Sequence, residues 1–261
     1  RKLAAQSLAP YRLGLTATFE REDGAEDILY DLIGPKIYQA GIHQMEHSVL
    51  SQYDVITMEI PLLAKDQALY ASERATYLNY LRFARISFRG KNSWPQFVMR
   101  ASRTPAGRKA LRAYRRQKRI ACNSEAKILA LWQIFQENPK EKILIFTQDN
   151  ELAYQIGLKY FLPVLTHHTK KAERKLLLRD FLEGNIHCLV TSKVLNEGVD
   201  VPDATVGIVV SGTGSVREHV QRLGRILRYR EGKRAKLYEL ISSETGELSM
   251  KNRRRKHDAY S

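Results

Sequence analysis

The chain is poor in cysteine, with two in 261 residues, Cys122 and Cys188. One pair makes no disulfide framework and has no zinc-site spacing, which points to a reducing compartment, cytoplasmic or, in a eukaryote, nuclear. No apolar run approaches the ~20 residues of a membrane span, so no membrane partner is expected. The first residues, Arg1-Lys2-Leu3-Ala4-Ala5, lack both Met and the apolar core of a signal peptide, and the start reads as a cut in a longer chain. Acidic residues are missing over one long stretch: between Arg74 and Asn123 there is no Asp or Glu.

That stretch holds 14 of the 43 Lys and Arg, and the rest of the chain, with 29 basic against 28 acidic residues, is nearly neutral. A local cationic block of this size asks for a polyanion, and nucleic acid is the usual one. A solvated face is the alternative. Arg112, Arg115 and Arg116 lie at its densest point. Tyr77, Tyr80, Phe83, Phe88, Trp94, Phe97 and Tyr114 are interleaved with the charges. Such rings can stack on bases, but most are expected to form the small core of a helical unit.

Hydrophobic content of 43% and charged content of 27% are those of a globular protein. Residues 11–18 read as a short strand running into a loop, 26–33 as a short helix, 53–62 as a strand and 66–86 as a helix. Residues 87–104 read as irregular, with Gly90, Pro95 and Pro105 as breaks, and a basic helix follows at 106–120. Asn123 is the candidate N-cap of a helix to about 137. Beyond it, apolar runs at 143–146, 163–165, 188–190, 206–210 and 237–241 alternate with helical patterns near 150–160, 170–183 and 215–228. Strands buried on both faces read as continuous apolar runs, so the fold class is α/β, a parallel sheet with helices on both faces. Ser215 and Glu218 have capping-box spacing. The basic tail from Lys251 reads as frayed.

Several segments carry chemistry. In Gln221-Arg-Leu-Gly-Arg-Ile-Leu-Arg228, helical spacing puts Gln221, Arg225 and Arg228 on one face and Val220, Leu223 and Leu227 on the other. Two guanidiniums side by side suit a triphosphate, although a basic amphipathic helix has the same pattern. Ser192 to Pro202 follows a strand directly, and ligands of open parallel sheets bind beyond strand carboxyl ends. Thr191 and Ser192 are thus hydroxyls at a binding edge. Gly198 would admit a close ligand and Asp200 would accept from a ribose hydroxyl, although a glycine turn with a capping Asp reads the same way. Thr16 and Thr18 close an apolar strand, and Arg21, Glu22 and Asp23 before Gly24 fit a solvated turn. His43-Gln-Met-Glu-His47 has the spacing of a zinc helix, but Gly34, Pro35 and Gly41 precede it closely and no metal site is expected. Gly212-Thr-Gly214 reads as a connection.

In order, Leu-Thr-Ala-Thr at 15–18, Ile-Phe-Thr at 145–147, Asn-Glu-Gly-Val-Asp-Val-Pro at 196–202 and Gln-Arg-Leu-Gly-Arg-Ile-Leu-Arg at 221–228 resemble motifs III, IV, V and VI of superfamily-two helicases. The longer string Leu-Thr-Ala-Thr-Phe-Glu-Arg-Glu-Asp-Gly at 15–24 resembles the xeroderma pigmentosum group B (XPB) helicases, their archaeal branch in particular; other members often have Pro where Phe19 stands. The resemblance implies a RecA-like sheet with a basic, thumb-like helical insertion. It implies that residues 1–40 are a remnant of the first motor domain, 41–65 a linker and first strand, 66–120 the thumb, 121–250 the second motor domain and 251–261 a basic tail. It further implies that Gly198, Asp200, Gln221, Arg225 and Arg228 face ATP, with Arg225 and Arg228 as arginine fingers. Thr16 and Thr18 would link nucleotide state to DNA grip, and Arg21, Glu22 and Asp23 strand separation. Thr147, Thr191, Ser192 and the thumb would contact DNA, with His167, before the helix bearing Arg174, as a further contact. Gln148 and Asp149 depart from the basic or polar pair common at their position.

No Gly-x-x-x-x-Gly-Lys-Ser/Thr loop and no Asp-Glu pair occurs, and the resemblance implies that the phosphate cradle and the Mg²⁺-binding acids belong to the first motor domain. The implied function is ATP-driven opening of DNA in nucleotide excision repair or transcription. ATP and Mg²⁺ would be shared with the missing N-terminal half, and a repair nuclease or a transcription–repair complex is a further candidate partner. The 261 residues alone are expected to be inactive as an ATPase. The competing readings are a non-catalytic nucleic-acid-binding module and the translocating subunit of a restriction system.

Overall fold

The computed structural model describes residues 6, 8–15, 27–38, 52–88, 93–192, 204–211 and 234–255, the side chains of the last helix as far as Lys251. The elements in chain order are α1 (Asp27–Leu32), β1 (Gln52–Ile60), α2 (Ala64–Phe83), α3 (Ser93–Ser102), α4 (Pro105–Cys122), α5 (Glu125–Glu137), β2 (Ile143–Phe146), α6 (Asn150–Tyr160), β3 (Val164–Leu165), α7 (Lys171–Glu183), β4 (Cys188–Thr191), β5 (Val206–Val209), β6 (Arg234–Ser242) and α8 (Gly246–Arg255). The six strands form one sheet in the order β1-β6-β5-β2-β4-β3, and every neighbouring pair is parallel.

The apolar runs become buried strands because side chains alternate between two packed faces. Along β2, Ile143 and Ile145 join the core beneath α5 and α6, with Ile128, Leu131, Leu152 and Ile156. Leu144 and Phe146 join the opposite core, with Phe181 of α7. Helices therefore cover both faces. The helix ends follow local chemistry. Asp149 Oδ1 accepts the Leu152 N–H at 2.9 Å to cap α6. Gly184, at φ 85°, ends α7 in the left-handed region that glycine tolerates. No helix among the described residues is long and apolar enough to cross a membrane.

Between β1 and α5 the chain makes three helices with a core of their own. Tyr77 of α2, Phe97 and Ala101 of α3 and Ala113 of α4 are buried together. Rings pack edge-on around Phe97, with Tyr77 at 5.8 Å between centroids. Most of the interleaved aromatics are thus structural; Phe83, 86% exposed, is not.

Four local expectations are corrected. Residues 93–102 form α3 rather than irregular chain. Pro95 lies in its first turn, where a missing N–H costs nothing, and Phe97 and Ala101, four apart, bury one face on α4. The N-cap of α5 is Ser124. Asn123 instead caps the end of α4, and its Nδ2 donates to Asp149 Oδ2 at 3.0 Å. Residues 11–15 are not a strand: no described strand pairs with them, and Tyr11, Leu13 and Leu15 stay exposed. The basic tail is helical to Arg255, because α8 starts at Gly246 and runs on through it.

Candidate functional site

The strand order fixes where a ligand edge lies. From β2 the chain runs through α6 to the β3 side of the sheet, and from β5 it runs to β6 on the other side. Neighbouring strands whose connections leave in opposite directions open a crevice at their carboxyl ends. Here that crevice lies between β2 and β5. Thr147, Gln148 and Asp149 form one bank, and Val210 and Ser211 the other. The Gln148 N–H donates to Ser211 Oγ at 2.8 Å across it.

A row of buried hydroxyls lines this edge. Thr147 Oγ1 donates to the Asp149 carbonyl at 2.8 Å, fixing the turn into α6. Thr191 Oγ1 donates to the Ser192 carbonyl at 3.2 Å. Thr166, at the end of β3, is held by Tyr154 Oη at 3.0 Å. Thr147, Thr191 and Ser192 all lie at the carboxyl edge, but they are buried, so their hydroxyls order the turns rather than stand out from the surface. His167 is exposed, and its Nδ1 lies 3.0 Å from Asn150 Nδ2.

The basic helix α4 is amphipathic in charge. Thr104 Oγ1 accepts the Gly107 N–H at 3.0 Å to start it, with Pro105 in the first turn. Gly107, Ala110, Ala113, Gln117 and Ala121, all but Gln117 small, are buried as one seam at a spacing of three and four. Arg108, Arg112, Arg115 and Arg119 are exposed at the same spacing on another face. Arg116 Nη1 lies 3.2 Å from Glu73 Oε1 of α2, and Arg119 pairs with Glu151 at the start of α6. Arg112 and Arg115 have no carboxylate partner among the described residues.

The end of α4 is bound to the crevice. Besides the Asn123–Asp149 and Arg119–Glu151 contacts, Ser242 Oγ donates to the Ala121 carbonyl at 2.7 Å. Lys127 of α5 is fully buried, and its Nζ donates to Glu247 Oε2 at 2.6 Å and to the Val210 carbonyl at 3.0 Å. The same Glu247 oxygen accepts the Ser242 N–H at 2.8 Å. Burial first, and then the Glu247 carboxylate, push the Cys122 thiol up to about 12.

Residues 108–258 match the family described as ERCC3/RAD25/XPB C-terminal helicase. That is more than half of the chain.

The chain belongs to this family.

Among similar XPB proteins, the DNA 3'-5' translocase XPB2 of Sulfurisphaera tokodaii is 36% identical over 95% of this chain and 56% of its own length. The DNA 3'-5' helicase XPB of Mycobacterium tuberculosis is 28% identical over 94% of this chain and 38% of its own length. The general transcription and DNA repair factor IIH helicase/translocase subunit XPB/SSL2 of Saccharomyces cerevisiae is 28% identical over 97% of this chain and 27% of its own length. The chain thus spans about half the length, or less, of the XPB relatives it matches. Two solved structures share the fold. The C-terminal part of the Fun30 ATPase domain has TM-score 0.56 at 16% identity, over 78% of this chain and 89% of that one. The Sulfolobus solfataricus SWI2/SNF2 ATPase core in complex with dsDNA has TM-score 0.57 at 19% identity, over 87% and 49%.

Of the site residues read from sequence, Thr147, Thr191, Ser192 and His167 lie at the carboxyl edge, and Arg112, Arg115 and Arg116 on α4. Thr16, Thr18, Arg21, Glu22, Asp23, Gly198, Asp200, Gln221, Arg225 and Arg228 lie outside the described residues, as do His43 and His47. The XPB match of residues 108–258 spans Gly198 to Arg228. Sequence reasoning missed the Lys127–Glu247 pair. A lysine two residues into a helix otherwise passes for a solvated one, and only the strand order brings Val210 to it.

Proposed function

We propose that this chain is the second motor lobe and thumb of an ATP-driven DNA translocase or helicase, working in excision repair or transcription. The observation that carries the reading is the XPB-family match through the Gln221–Arg228 run. It is supported by an exposed arginine face on α4 bound directly to the switch-point crevice. In this reading residues 1–40 belong to the first lobe, 41–65 link it to the second, 66–120 are the thumb, 121–250 the second lobe and 251–261 its tail.

The donor set fits one side of a nucleoside triphosphate. Arg225 and Arg228 would hold the phosphates, Gln221 would orient them, and Gly198 and Asp200 would meet the ribose side. Bound ATP supplies the phosphoryl transfer, and an arginine aimed at the transferring group is worth ~10³ to 10⁵ in rate. The set does not fit Mg²⁺, whose acids would come from the first lobe, together with the phosphate loop. Asn123, Asp149, Arg119 and Glu151 would transmit lobe movement to the thumb, because they tie α4 to the turn after β2. Thr16 and Thr18 would couple nucleotide state to grip, and Arg21, Glu22 and Asp23 would part the strands. Thr147, Thr191, Ser192 and His167 would support the DNA-facing turns, and Arg112, Arg115 and Arg116 would meet phosphates. A repair nuclease or a transcription–repair complex is the partner class this reading admits.

The 261-residue chain alone should bind duplex DNA with strong salt dependence and turn over no ATP. On one polypeptide with a phosphate-loop-bearing lobe, DNA-stimulated turnover should appear. Robust turnover by the chain alone would contradict the division of labour.

A further inference from the structure

The three-helix thumb leaves part of its aromatic cluster open. Phe97 is fully buried, yet Trp94 and Phe88 beside it are 40% and 42% exposed. They stack on each other with centroids 6.3 Å apart and planes 30° from parallel. Trp94 is backed from below by Phe97 at 5.3 Å and by Tyr114 of α4 at 4.7 Å. Phe88 rests on Phe97 at 5.8 Å. A core needs no second ring pair half in water, and among the described residues these rings pack on each other, on Phe97 and on Tyr114. The helices that carry Trp94 and Tyr114 are cationic in sequence. α3, α4 and the connection between them carry no carboxylate, whereas Arg100, Arg103 and Arg115 are exposed there.

A half-exposed aromatic pair beside two helices without carboxylates suits the base of an unpaired nucleotide. The ring supplies stacking, and the guanidiniums neutralise the flanking phosphates. An acidic peptide would use the charges and leave the stacked rings idle. A duplex offers phosphates but no free base face. We infer that Trp94 and Phe88 form a stacking platform for unpaired DNA bases, so that the thumb holds single-stranded as well as duplex DNA. This rests on the DNA-motor reading above.

Trp94 reports on its own occupancy. The chain has two tryptophans, so Trp132→Phe leaves Trp94 as the sole emitter. This variant is titrated with a dye-labelled thymidine oligomer of about 12 nucleotides and with an abasic oligomer of equal length. Dye anisotropy follows binding while tryptophan emission follows stacking. The platform predicts saturable quenching by the thymidine strand and none by the abasic strand. It also predicts that Trp94→Leu weakens single-strand binding by about ten-fold or more while duplex affinity stays within about two-fold. Quenching that is absent at saturation, or equal for both oligomers, overturns the platform, as does a thymidine strand that fails to bind. If duplex DNA still binds with a steep salt slope in that case, the motor reading stands. If neither form binds, both fall.

Discussion

Lys127 shows how one side chain joins the parts of the molecule. Its ammonium is fully buried and meets Glu247 and the Val210 carbonyl. Removing one member of a buried pair leaves an uncompensated charge, which typically costs about 3–5 kcal/mol. Lys127→Met should therefore lower the urea midpoint sharply. Lys127→Met combined with Glu247→Leu should recover most of that loss, because apolar replacement of both partners is often neutral. Unchanged stability in the single variant would show that the pair is not desolvated in solution. A second prediction concerns pH. Burial pushes Cys122, Cys188 and Tyr77 up to about 12, from ordinary values of 9.0 for the thiols and 10.0 for the phenol. The folded state thus keeps protons that the unfolded chain releases. This stability is complete below pH 9 and declines as pH rises towards 12. Urea titrations at neutral and strongly alkaline pH should show the decline, and replacing both cysteines by alanine should reduce it. At this scale the sequence was only partly legible. Asn123 has the chemistry of a cap, but sequence does not say which helix end it serves, and the three-dimensional answer is the end of α4 and the turn at Asp149.

Among the elements, α3 and α4 decide whether the three-helix unit holds its shape. At Gly107 a Cβ would lie 2.3 Å from the Ala101 carbonyl oxygen and 2.6 Å from its Cα, both backbone atoms of the facing helix. Gly107→Ala gains ~1 kcal/mol of helix propensity, but overpacking of this kind costs ~1–3 kcal/mol. Net destabilisation is expected, read by thermal unfolding, and stabilisation would mean that the helices separate freely. The charges of α4 are not equivalent. Arg116 is paired with Glu73 and Arg119 with Glu151, while Arg112 and Arg115 have no such partner among the described residues. Arg112→Gln or Arg115→Gln should therefore reduce the salt slope of duplex binding by about 0.9 each. Arg116→Gln should reduce it less, and an equal effect of all three would argue against the ion pair. The basic helix itself was legible because acid is absent over so long a stretch. The α3 helix was hidden because Pro95, which reads as a breaker, occupies a first-turn position that tolerates it.

For the whole molecule, the parallel sheet was legible from apolar runs that alternate with helical patterns, since strands buried on both faces carry no polar alternation. Strand order was not, and with it the crevice between β2 and β5, because order depends on crossovers that no local pattern records. The fold brings the end of α4 to that crevice through Asn123, Arg119, Ser242 and Lys127, so the three-helix unit and the sheet edge are joined directly. In the proposed reading, such a unit would turn nucleotide-driven closure into movement of DNA. The central claim is that this chain supplies the guanidinium wall of a shared nucleotide cleft. Single-turnover ATP hydrolysis by this chain joined to a phosphate-loop-bearing lobe tests it most directly, with wild type against Arg228→Ala at saturating DNA. The account predicts a fall of about 10³-fold or more with DNA affinity retained. Hydrolysis at the wild-type rate in Arg228→Ala would contradict it.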